Sequence, residues 1–113
     1  HNDDIWLIDH GAAFYFQHNW KDTKKQAETA FPLIKDHVLV NYAKEIRKAD
    51  TECRALLNRE VFETIIEKVP YVWLEGDTTF QSPEAYRDSW VEYLTHRLSV
   101  SDVFVKEVER VQT

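Results

Sequence analysis

The sequence predicts a mainly α-helical protein, with a short amino-terminal strand leading into a helical bundle. Three observations predict it. Only Gly 2 and Pro 3 occur in 113 residues, which favours long helices over a turn-rich sandwich. Apolar residues recur at helical spacings of three and four through the second half of the chain. Good N-cap residues stand ahead of the clearest of those runs. Hydrophobic residues make up 43% and aromatics 13%, too apolar for a disordered tail and enough to bury one modest core. Residues 1–113 therefore read as a single domain.

The elements follow in order. Residues 5–9, "IWLID", are apolar and β-branched, and suit a short buried strand. Residues 12–17 continue either as strand or as an irregular aromatic segment. Asn19 to Lys25 is polar, a loop or the first turn of a helix, and Pro32 stops any helix begun near Lys24. "LIKDHVLVNYAKEIRKA" predicts a helix over residues 33–48 with Leu39, Tyr42, Ala43 and Ile46 on one face. Asn58 caps a second helix, whose Val61, Phe62, Ile65, Ile66 and Val69 form an apolar stripe ending at Pro70.

"YVWLEGDTTFQ" then connects, turning at Gly76. Ser82, Pro83 and Glu84 supply an N-cap, a proline at the first helical position and an acid at the positive helix end. The helix they open spans residues 83–99 and buries Tyr86, Trp90, Tyr93, Leu94 and Leu98. A last helix starts after Ser101 and carries Val105, Val108 and Val111. Trp6, Trp20, Trp73 and Trp90 read as core anchors, and Cys53 as a buried thiol just before a helix.

Charge and motifs narrow the function. A net charge of −6 opposes nucleic-acid binding, and Asp22 dilutes the one cluster of Lys21, Lys24 and Lys25. A lone Cys53 allows neither an internal disulfide nor a thiolate zinc site, and suits a cytoplasmic location. No run approaches the ~20 apolar residues that cross a bilayer, so no membrane contact is expected. Two glycines cannot build a P-loop or a GxGxxG turn. His10 and His18 are eight residues apart while His37 and His96 stand alone, without metal-ligand spacing. The absence of Met, the start at His1 and a strand that needs a partner lead to the expectation of a carboxyl-terminal portion of a longer protein, and the acidic first residues show no signal-peptide pattern. That strand could alternatively pair with its own copy in a homodimer.

The remaining candidate is "WLIDHGAAFYF", residues 6–16, where a carboxylate closes an apolar run and a glycine follows. Asp9 there has two readings: a turn residue bonded to nearby backbone N–H groups, or a rigidly held metal ligand. "WLIDHGAAFYFQHNW" resembles a segment of the HipA-like bacterial kinases, the branch often mislabelled as class I/II aminotransferases. "FPLIKDHVL", "VPYVWL" and "WVEYLTHRL" extend the similarity over nearly the whole chain.

The resemblance implies that the Asp-His-Gly of residues 9–11 stands where protein kinases carry Asp-Phe-Gly. Asp9 is then the Mg²⁺ ligand beside ATP, Gly11 the flexible residue after it, and the helices resemble the C-lobe of a protein-kinase-like fold. His10 replaces the usual Phe, so the packing of that residue does not transfer. The phosphate-covering loop, nucleotide-positioning Lys, catalytic-loop Asp and second metal-binding Asn precede this block in the family. The resemblance therefore implies a missing amino-terminal kinase lobe as partner, a possible protein substrate, and an isolated chain that holds no cofactor tightly and is inactive. The alternative is a non-catalytic helical interaction module in which Asp9 is structural.

Overall fold

The computed structural model describes residues 3–7, 14 and 20–113. Five α-helices follow one another: α1 (Thr23–Ala27), α2 (Ile46–Leu56), α3 (Arg59–Glu67), α4 (Pro83–Ser99) and α5 (Asp102–Gln112). Short 3-10 turns at Pro32–Asp36, Val40–Tyr42 and Tyr71–Trp73 connect them. Among the described residues the protein is mainly helical and contains no strand.

The second half forms as its caps dictate. The Asn58 side chain accepts from Val61 N at 2.9 Å and opens α3, which gives way to Pro70 after Val69. The Ser82 hydroxyl accepts from Ala85 N at 3.1 Å, Pro83 takes the first position, and α4 runs to Ser99 as the spacing predicts. Gly76 turns the connection with φ 83°, a left-handed conformation that costs glycine little. Val105 on α5 is wholly buried.

α4 is the hub. One side packs Val91 against Phe62 and Ile66 of α3, with Leu57, Leu94 and Leu98 alongside. Another packs Tyr93 against Ala27 of α1, with Trp20 beside it. Trp90 and Leu94 belong to both clusters, so a single helix stitches the two into one core. Burying such side chains stabilises by about 1.5–3 kcal/mol each. α5 packs instead on α2 and on the two 3-10 turns at residues 32–42.

Several expectations fail, each for a physical reason. The helix over residues 33–48 is replaced by two 3-10 turns, and α2 begins only at Ile46. His37 turns extended (ψ 126°) and its Nδ1 accepts from Leu39 N at 3.2 Å, interrupting the helical ladder. The Gln112 side chain then donates to Val40 O and Ala43 O, giving those carbonyls a partner outside any helix. The apolar face drawn on that helix stays outside: Leu39 is 60% and Tyr42 78% exposed.

Cys53 lies within α2 and is exposed, not buried ahead of a helix. Trp6 and Trp73 are exposed, leaving Trp20 and Trp90 as the core tryptophans. The strand over residues 5–9 does not form in its described part. Ile5, Trp6 and Leu7 lie in no regular element and are exposed, since no described segment offers them a ladder. Residues 8 and 9 lie outside the described residues.

Candidate functional site

Asp9, His10 and Gly11 lie outside the described residues, as does His18. What the structure gives is their surroundings in the chain. Phe14, three residues past Gly11, sets its ring edge-on to Trp90 (5.5 Å between centroids) and to Tyr93 (6.2 Å). Trp20 does the same to Trp90 (5.2 Å), Tyr86 (5.6 Å) and Phe80 (5.1 Å). Phe80 stacks on Tyr86 at 4.3 Å.

The chain therefore docks on α4 at two aromatic residues, and Trp90 receives both. Tyr86, Trp90 and Tyr93 follow at intervals of four and three, which places them on one helix face. Edge-to-face pairs of this kind add about 0.5–1.5 kcal/mol each beyond burial. The Tyr93 hydroxyl is pushed up from its ordinary value by burial, opposed by the nearby Arg97 charge, so it is neutral near pH 7.

The segment after Trp20 is clamped by the carboxyl-terminal half of α4. Asp22, left-handed at φ 49°, caps α1 by accepting from Lys25 N at 3.2 Å. Arg97 Nη1 donates to Ala27 O (2.8 Å) and Thr29 O (2.6 Å), so one guanidinium satisfies carbonyls at the end of α1. Next to it, His96 Nε2 meets Glu28 Oε1 at 2.8 Å. Arg97 also lies over the Phe104 ring at 4.6 Å, linking α4 to α5.

A cleft of about 220 Å³ opens beside this clamp, lined by Phe31, Ile34, Arg97, Phe104, Glu107 and Val108. Its walls are almost wholly apolar. The Glu107 carboxyl lies below its usual range because Arg110 hydrogen-bonds it, so it is ionised and engaged. Two buried hydroxyls, Thr95 Oγ1 and Ser101 Oγ, have no hydrogen-bond partner among the described residues. Among the described residues no group of three or more His, Cys, Asp or Glu is placed to hold a metal. Nor is any helix among them long and apolar enough to cross a membrane.

The sequence reading overlooked Arg97, whose role depends on carbonyls about seventy residues away. The one available signal was its place in the last turn of α4, where a cation suits the helix dipole. Comparison of the chain with protein-family models, with curated proteins and with solved structures found no match.

Proposed function

We propose that this chain is the carboxyl-terminal helical part of a HipA-like ATP-dependent kinase, in which Asp9 of the Asp-His-Gly block is a Mg²⁺ ligand. One observation carries the reading: Phe14 and Trp20, the described residues that follow the block, both pack on Trp90 of α4. A metal-binding carboxylate needs rigid support, and anchoring the chain after the block on a buried helix favours such support. The mainly helical architecture is compatible with a kinase C-lobe.

Mg²⁺ takes one or two carboxylates together with phosphate oxygens, so a single hard oxygen donor such as Asp9 fits it. Bound with ATP, the ion offsets charge between the β- and γ-phosphates. The nucleotide-positioning Lys, the catalytic-loop Asp and the second metal-binding Asn would come from the amino-terminal lobe. The 113 residues alone are expected to be inactive and to hold no cofactor tightly.

The test is Asp9→Asn in the full-length protein, assayed for Mg²⁺-dependent phosphate transfer from ATP. We expect transfer to fall by about a hundredfold or more while thermal unfolding is unchanged. Transfer at the wild-type level would overturn the reading. A second reading, a helical interaction module without chemistry, is favoured by the exposure of Val38, Tyr42, Val72 and Trp73. It predicts no phosphate transfer by the natural protein in any form.

A further inference from the structure

The turn Tyr71–Trp73 presents three large apolar side chains, with Val72 67% and Trp73 73% exposed. The turn is firmly held. Arg87 of α4 donates to Val69 O at 2.8 Å and lies 6.0 Å from the Tyr71 ring, while Leu74 is buried directly behind. A solvent-facing tryptophan on a fixed backbone binds with little further ordering, and tryptophan and tyrosine are the residues most enriched in interface hot spots.

The charges around it give the partner its chemistry. Glu67 and Lys68 lie just before the turn, Glu75 and Asp77 just after it, and Glu84 and Asp88 flank Arg87 on α4. None of these five carboxylates has an ion-pair partner among the described residues, and they outnumber the two cations nearby, Lys68 and Arg87. A second exposed apolar stretch, Leu33 to Tyr42, has a balanced surround of Lys35 and Lys44 against Asp36 and Glu45. Among the described residues the Trp73 turn sets an apolar centre, fixed by Arg87, inside a net acidic rim; Ile5, Trp6 and Leu7 beside Asp3 and Asp4 are exposed too but lie in no regular element.

We propose that this turn is a docking surface for a basic protein segment, one that sets an apolar side chain against Trp73 with Lys or Arg on either side. Matching charges speed encounter and select the partner, while the aromatic centre supplies affinity. An anionic membrane or a nucleic acid is repelled by the same rim. The inference does not depend on the kinase reading, since its test involves no phosphate transfer.

The experiment titrates the full-length protein with a fluorescein-labelled amphipathic peptide of Lys and Leu at helical spacing, with a Glu-and-Leu peptide as control. We expect binding of the basic peptide only, weakened about tenfold or more by Trp73→Ala and by the pair Glu75→Lys and Asp88→Lys. Raising the salt should weaken it further. All three side chains are exposed, so these variants fold as the parent does. Four results would overturn the proposal: no binding of the basic peptide, equal binding of the acidic one, binding indifferent to Trp73→Ala, or concentration-dependent self-association abolished by that substitution.

Discussion

The α4 half and the α5 half of the molecule are held together by different forces. Around α4, Phe62, Ile66, Val91, Tyr93 and Ala27 are buried and Trp90 joins their two clusters. Around α5, only Val105 and Val40 are buried among the described apolar residues, no residue of the partner helix α2 is, and Arg47 joins α2 to α5 by reaching Asp102 at 2.6 Å and Glu109 at 2.7 Å. Gln112 pins the turn at residues 40–43 in a similar polar way. Apolar burial is insensitive to salt and strong per residue, whereas exposed ion pairs are weak and screened. The α4 half should therefore behave as the stable core and the α5 half as the part that opens first.

The largest test of that difference removes core volume. Phe62→Ala leaves a cavity between α3 and α4 and should cost about 3–5 kcal/mol in urea unfolding. Tyr42→Ala in the exposed 3-10 turn should change stability by less than about 0.5 kcal/mol. A comparable loss at both positions would erase the distinction.

The caps come next. Asn58→Ala and Ser82→Ala each leave a first-turn N–H without its acceptor and should cost about 1 kcal/mol. Native-state hydrogen exchange sharpens the same comparison, with α4 amides exchanging only on global unfolding and α2 amides through local opening. Uniform protection across both helices would contradict it.

The smallest effect is electrostatic. Hydrogen bonds from Lys106 and Arg47 lower the Asp102 carboxyl, Arg47 lowers Glu109, and Arg110 lowers Glu107. Groups whose folded values are depressed contribute stability that is full above their unfolded values and lost as pH falls through the folded ones. The α5 half should loosen as pH drops below about 4, and Arg47→Gln should flatten that dependence. Circular dichroism against pH reads both, and an unchanged profile in the variant would remove Arg47 from the account.

These contrasts also show which features the sequence made legible. α3 and α4 were readable because local signals agreed: Asn58, Ser82-Pro83 and Pro70 mark limits that the apolar spacing independently requires. The stretch at residues 33–48 misled because Leu39, Tyr42 and Ile46 have helical spacing without a cap. Its outcome was decided by His37 folding onto its own backbone and by Gln112, about seventy residues away. Trp6 and Trp73 looked like core by composition alone, yet nothing in the described fold covers them. Of the candidate site, Asp9 and Gly11 stood out in the sequence but lie outside the described residues, while the packing of Phe14 and Trp20 on Trp90 emerged only in three dimensions.

The most direct measurement is paramagnetic relaxation in the full-length protein, with Mn²⁺ and a non-hydrolysable ATP analogue standing in for the proposed Mg²⁺ and ATP and the tryptophan indoles labelled. Broadening should concentrate on Trp6, three residues from Asp9 in the chain, spare Trp73, and disappear in Asp9→Asn. Broadening that persists in Asp9→Asn, or that falls equally on every tryptophan, would contradict Asp9 as the metal ligand.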